Sequence, residues 1–349
     1  MTEIKTNLIF EDCRRSCTDN EFLVLKDQSV LVTGGTGFVG KWIAEMISYV
    51  NETYDLNIKL YLLARDIQKF KDEVPHLTQK SFINLIAQDV RNIHDLPEDI
   101  NYIVHAAGSP DNRDHVSQPL KTIETFYKGT HSILDAASRL QELKKIIHIS
   151  SHQVYGRNDS ESCIREDYLG KLEANSINHT YAESKRIAET LCSIYRSQLR
   201  LPILVIRPFA FIGPYQDLEK PWAINNFMRD AILGGPIRIL GNVDTIRSYL
   251  YASDMAFWIL KALVKGQVGE SYNIGGSEAI SLANLAKKIG NSINNSIDIL
   301  SKSSKESYNY LSKLVPDTNK IITELGVKET HTLDASINRT ILWNQLNRK

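Results

Sequence analysis

From Ser29 to about residue 206, short runs of β-branched and aliphatic residues alternate with longer stretches whose apolar positions recur every three or four residues. The runs VLVT, LYLLA, INLIA, YIVHAA, IIHISS and ILVIRP read as buried strands, and the stretches between them read as helices. Strands apolar on both faces and joined by helical crossovers form a parallel sheet with right-handed connections and helices on each side. The pattern predicts an α/β fold: a doubly wound parallel sheet over residues 29–212 and a smaller C-terminal lobe over 213–349, with some lobe segments returning to the sheet domain. Turn signals crowd the lobe (GPY, EKP, GGP, GN). A helix is expected there from Ala223 to Leu233, with Arg247 to Tyr251 and Tyr272 to Gly275 running back along the cleft. SKSSKES from Ser301 reads as a loop. Residues 1–28 read as an N-terminal extension, an extra helix lying over the sheet domain.

The first strand runs into SVLVTGGTGFVGKWIAEMI from Ser29, which puts Gly34, Gly37 and Gly40 between a strand and a helix. Glycine lets such a loop turn tightly and approach a pyrophosphate, while the helix N-terminus offers free N–H groups and the positive end of a dipole. The spacing is G-x-x-G-x-x-G, which also fits a βα turn with no ligand. The strand before it and the helix after it favour a Rossmann-like dinucleotide site that includes Phe38 and Val39. IKLYLLARD ends on Ala64 and Arg65, where an acid would bind both ribose hydroxyls. Arg65 suits a 2′-phosphate, so NADP is favoured modestly over NAD; Asp66 keeps NAD open, and a solvated arginine at a strand end fits nearly as well. Asp89, followed by Val90, ends another strand where a carboxylate can meet an adenine amino group. Ala106, Ala107 and Gly108 are small enough for the backbone to pass close to a cofactor, although tight packing would demand them equally.

The 349 residues include 41 Lys and Arg and 41 Asp and Glu, intermixed along the chain, so charge makes no case for nucleic acid or a membrane surface. Cys13, Cys17, Cys163 and Cys192 form no C-x-x-C pair and read as free thiols of a reducing compartment, with no zinc or other metal expected. The polar N-terminus MTEIKTNLIFEDCRRSC is unlike a signal peptide, and cytoplasmic residence is the expectation.

HTYAESKRIAETL places Tyr181 and Lys185 four apart, on one face of a helix. An ammonium beside a phenol stabilises the phenolate and is expected to lower its pKa from about 10 toward neutrality, the range of a general acid/base. Alone, the pair is close to noise. KIIHISSHQVYG changes the reading, because its strand ends in Ser150 and Ser151 at the edge where doubly wound sheets bind ligands.

The matching segments are TGGTGFVG at 33–40, HAAG at 105–108, SSHQVYG at 150–156, YAESK at 181–185, RPFAFIGPY at 207–215, RSYLYASD at 247–254 and YNIGG at 272–276. Through them the chain resembles the extended short-chain dehydrogenases/reductases, specifically their nucleotide-sugar epimerase/dehydratase group. The resemblance implies that Tyr181 is the acid/base, that Lys185 binds the cofactor ribose and modulates Tyr181, and that Ser151 hydrogen-bonds the sugar oxygen undergoing redox. It implies that Arg247 binds the substrate diphosphate and that the segment holding Asn273 borders the substrate. A homodimer through the helices at 120–140 and 181–197 and a role in polysaccharide biosynthesis are expected on the same ground. PDTNKIITELGV resembles the family segment that completes the lobe.

Departures limit the reading. Family members that dehydrate sugars usually follow the hydroxyl residue with an Asp-Glu pair; here His152 and Gln153 stand there, and a glutamine cannot deprotonate C5. His152 is a surface residue or a substrate contact. Ala210 replaces a common diphosphate-binding Asn, for which Asn225 or Asn226 is the candidate replacement, and another common Asn is replaced near Phe126. The reading is an NAD(P)-dependent enzyme exchanging hydride at C4 of a nucleotide-diphosphate sugar, tipped toward a 4-keto-sugar reductase by Arg65 and the missing acidic pair. A 4-epimerase with retained NAD and a 4,6-dehydratase remain alternatives, as does a dinucleotide sensor without turnover.

Overall fold

The computed structural model describes residues 2–18, 20–158, 162–173, 175–293, 297–301 and 312–346. The SKSSKES loop therefore lies, beyond Ser301, outside the described residues. The β-branched runs form strands because two-sided burial rewards them: β1 (Ser29–Thr33), β2 (Lys59–Ala64), β3 (Ile83–Ala87), β4 (Tyr102–His105), β5 (Lys145–Ile149) and β6 (Ile203–Pro208). The lobe adds β7 (Ala210–Ile212), β8 (Ile237–Ile239), β9 (Ile246–Arg247), β10 (Tyr249–Tyr251), β11 (Ser271–Ile274), β12 (Ile280–Ser281), β13 (Ile299–Ser301) and β14 (Lys313–Leu314). Helices are α1 (Thr2–Ser16), α2 (Phe38–Tyr54), α3 (Gln68–Glu73), α4 (Pro75–Thr78), α5 (Asn112–Ser117), α6 (Pro119–Ala137), α7 (Thr180–Leu199), α8 (Ala223–Ile232), α9 (Ala252–Lys265), α10 (Leu282–Ile293), α11 (Asn319–Leu325) and α12 (Leu333–Leu346).

Seven strands make one sheet in the order β11-β6-β5-β4-β1-β2-β3, each pair parallel. Strand β11 is a return segment: it closes the β6 edge in register, Ser271 against Val205 and Ile274 against Pro208. Alternate residues of the strands feed two cores. Val30, Val32, Val104, Ile147 and Ile206 face α2 and α9, whereas Leu31, Ile103, Ile146 and Ile203 meet Ile133, Leu134 and Cys192 of α6 and α7. A third core joins α8, α10 and α12 of the lobe through Phe227, Leu285, Ile289 and Ile337.

Helix α1 lies on α2 and α9, over the sheet domain. Its buried Asp12 accepts from the Tyr251 hydroxyl at 2.7 Å and pairs with Arg339 of α12, and its Ser16 donates to Asp254 of α9 at 2.7 Å. One helix thus ties the sheet domain to the lobe. From α2, the Trp42 indole donates to the Pro214 carbonyl at 2.9 Å. Among the described residues, no helix is long and apolar enough to cross a membrane.

Candidate active site

Both motifs end at the carboxyl edge of the sheet. Gly37 caps α2 with no side chain, and no side-chain hydrogen bond replaces it, so the first N–H groups of the helix stay unclaimed. Gly34 has φ +67, and a Cβ there would overlap the Ala106 carbonyl and Ala107 backbone. The glycine loop and the small-residue turn after β4 are pressed together, which is why both need small residues. Gly40 packs inside the loop against Gly35, and Phe38 stacks on Phe211 of β7 with ring centroids 6.5 Å apart.

At the end of β2, Arg65 is exposed and Asp66 caps α3, accepting from the Gln68 N–H at 3.0 Å. Asp89 is gripped by Arg91, which donates from its backbone at 2.9 Å and its guanidinium at 2.8 Å. Those bonds hold the Asp89 carboxyl down at about 2, with the charge of nearby Arg65 helping. The Val90 side chain is buried against Gly129, so its backbone is what it can offer a ligand.

Tyr181 and Lys185, one turn apart on α7, are both buried. Ser151 leaves β5 in extended conformation; its hydroxyl accepts from the Gln153 N–H at 3.1 Å and sits near enough to the Tyr181 phenol to lower its pKa. Lys185 Nζ donates to the Ile149 carbonyl at 2.7 Å and lies 5.9 Å from the Tyr181 ring centroid. The structure thus brings the three predicted groups together. The expected fall of the phenol toward neutrality does not occur: burial pushes Tyr181 up to about 12, against a smaller lowering by Ser151. Burial also pulls the neighbouring Lys185 down, to about 7.

One turn beyond Lys185, Glu189 accepts from Ser150 Oγ at 2.5 Å and from Arg207 Nη2 at 2.7 Å. Arg207 donates to the Tyr155 hydroxyl at 2.9 Å, and that hydroxyl donates to Asn273 Oδ1 at 2.7 Å. The chain runs beneath the site across the ends of β5, β6 and β11. Asn273 is fully buried and its amide donates to the Ile164 carbonyl at 2.9 Å, so the structure places its side chain as a strut inside the fold.

His152 stacks on Phe209 at 5.1 Å, and its Nδ1–H donates to the Pro208 carbonyl at 3.1 Å, which leaves Nε2 as an acceptor. Burial first, and the charge of Arg247 last, pull His152 down to about 4. Arg247 donates to the carbonyls of Ile246 at 2.8 Å and Ser312 at 3.1 Å. Asn226 accepts from Arg229 at 3.1 Å, and the buried Asn225 donates to the Asp217 carbonyl at 2.9 Å. Of the predicted substrate residues, His152 and Arg247 are near enough to feel each other's charge; both lobe asparagines are engaged within the lobe. Among the described residues, no group of three or more His, Cys, Asp or Glu could hold a metal ion.

A model of the NAD dependent epimerase/dehydratase family matches residues 30–275, well over half of the chain. The chain belongs to this family. The matched span takes in the sheet from β1 to β11. The chain is similar to UDP-glucuronic acid decarboxylase 1 of Xenopus tropicalis, 26% identical over 92% of this chain and 73% of that protein. It is 27% identical to dTDP-glucose 4,6-dehydratase of Salmonella typhimurium over 90% of this chain and 92% of that protein. Among solved structures, UDP-glucose 4-epimerase from Thermotoga maritima with UDP-glucose superposes with a TM-score of 0.78 at 19% identity, covering 92% of this chain and 100% of that one. UDP-glucuronic acid 4-epimerase from Bacillus cereus, in complex with UDP-glucuronic acid and NAD, gives 0.76 at 24% identity over 91% and 100%. These likenesses show a shared fold. Against the Tyr181 ring lie His115, with centroids 4.2 Å apart, and Phe126, with centroids 5.3 Å apart. Sequence reasoning gave His115 and Glu189 no part in the site and met Phe126 only as a departure. Glu189 had a signal, its four-residue spacing from Lys185; no periodicity connects His115 or Phe126 to Tyr181.

Proposed function

We propose that this family member is an NAD-dependent enzyme exchanging hydride at C4 of a nucleotide diphosphate sugar, without elimination across C5 and C6. The observation that carries the reading is the meeting of Ser151 and Tyr181, with Lys185 one turn deeper, two strands along the sheet edge from the Gly34–Gly40 loop. The loop fits a dinucleotide: uncapped N–H groups open α2, and the Gly34 backbone approach leaves no room for a side chain. NAD bound there supplies the hydride donor and acceptor for the sugar carbon. We assign NAD over NADP because Arg65 is exposed and its charge is shared with Asp89, and because NAD is bound in the similar Bacillus cereus 4-epimerase structure.

Ser151 would hold the C4 oxygen and Tyr181 Oη would give or take its proton, while Lys185 supplies positive charge below them. The buried phenol keeps its proton at neutral pH, which suits donation to a 4-keto sugar, so net reduction is the finer reading. Four-epimerisation with retained NAD is the second reading, favoured by the NAD in the Bacillus cereus 4-epimerase structure. Elimination is disfavoured because Gln153 is no base and His152, pulled to about 4, is a weak one. Arg247 and His152 would meet the diphosphate and the sugar. The free cysteines fit cytoplasmic residence.

The test is to identify the dinucleotide released from purified protein and then incubate the protein with nucleotide sugars and their 4-keto forms. Consumption of NADH with a 4-keto sugar establishes the reductase. Interconversion of epimers without added reductant establishes the second reading, and loss of water overturns both. Dinucleotide binding without turnover on any sugar makes the chain a sensor.

A further inference from the structure

We propose that Phe126 is a positioning residue for the acid/base pair: its ring face holds the Lys185 ammonium and its edge braces the Tyr181 phenol. The inference rests on the reading of Tyr181 and Lys185 as that pair. Phe126, in the second turn of α6, is buried, and Lys185 Nζ lies 4.4 Å from its ring centroid. The same ring meets Tyr181 edge-on, with centroids 5.3 Å apart and planes at 76°. His115 of α5 completes the grip, stacked flat on the phenol at 4.2 Å and 9°. A third contact joins the ring to the cofactor turn: Gly108 has φ +141, and a Cβ there would overlap the Phe126 ring. One side chain thus touches the turn after β4, the phenol and the ammonium.

A buried ammonium has three N–H groups and has lost its hydration. The Ile149 carbonyl accepts one of them. Over an aromatic face, the negative side of the ring quadrupole compensates part of the remainder, which an aliphatic side chain of similar volume cannot do. Burial has brought Lys185 to about 7, where a small change in its surroundings decides how much of it is charged at neutral pH. Phe126 therefore governs the charged fraction of Lys185, and through it the charge available to a forming phenolate.

The test follows the Lys185 side chain itself. Protein carrying 13C at lysine Cε is titrated by NMR, with the Lys185 resonance assigned by its loss in Lys185→Arg. In Phe126→Leu the titration midpoint falls by about one pH unit, the size expected of a desolvated cation–π contact. In Phe126→Tyr, which keeps the ring face, the midpoint stays where it is. A folded Phe126→Leu that melts lower but titrates at the original midpoint overturns the inference, since packing alone would then explain the residue. Phe126→Met makes the same comparison where the leucine variant does not fold. NADH binding by the unaltered protein, followed by fluorescence, is scored separately: its absence overturns the functional reading, whereas an unmoved midpoint overturns only the role of Phe126.

Discussion

Tyr181 holds its proton because it is buried, and the same burial lowers Lys185 to about 7. Replacing Tyr181 by Phe removes the proton donor and leaves the packing, so turnover should drop by about 10²–10⁴-fold while dinucleotide affinity, measured by calorimetry, stays unchanged. A different loss is expected at Glu189. Its carboxylate is the ion-pair partner of the mostly buried Arg207 and accepts from Ser150. Glu189→Ala should cost about 3–5 kcal/mol in a urea melt, because the guanidinium is left inside without its counter-charge. At this scale the sequence was legible in spacing and silent on dielectric. Four residues between Tyr181 and Lys185 put both on one face, but nothing in the spacing says how little water reaches them. Likewise Asn273 stands in a recognisable segment, and only the fold reveals that Tyr155 and Ile164 already claim its amide.

Two elements carry testable consequences. Helix α1 is bolted in place by His331, which lies 3.4 Å from Asp12 of α1 and 3.7 Å from Asp254 of α9, under the Tyr251 ring and with Arg339 on the same Asp12. Burial alone would lower His331, but the two carboxylates raise it. A histidine raised in the folded state stabilises fully below its unfolded value of about 6.5 and loses that contribution as pH rises through the folded value. The melting temperature should therefore fall across that window on the alkaline side, and His331→Gln should flatten the dependence. The second element is the paired face of α6 and α7, where Leu120, Ile123, Tyr127, Ile187 and Ile194 are exposed; Leu120 is 78% open, more than an isolated surface leucine needs. We propose this strip as the surface of a homodimer, which the family resemblance implies. Ile123→Lys with Ile194→Lys should lower the sedimentation coefficient to that of a monomer, and a variant that sediments like the parent refutes the strip as the interface. The helices themselves were legible from their apolar period; which side of each stays exposed was not, because both have additional apolar positions.

At the scale of the whole molecule, six sheet strands could be read from their β-branched runs, since burial on both faces leaves little choice of residue. The seventh could not: SYNI is short and carries Ser271 and Asn273, and only its place beside β6 makes it a strand. The lobe's strands of two or three residues have no period to read. The late position of β11 has a consequence for how the chain is made. A nascent polypeptide reaches β6 long before residue 271 exists, and until then the Ile203–Ile206 stretch presents its unpaired backbone groups as an open edge. A fragment ending at 212 should accordingly form large aggregates in light scattering, while the full chain stops at the dimer. Translation must run past residue 274 before that edge is covered, so the ribosome's pace over these residues sets how long each new molecule is exposed to its neighbours.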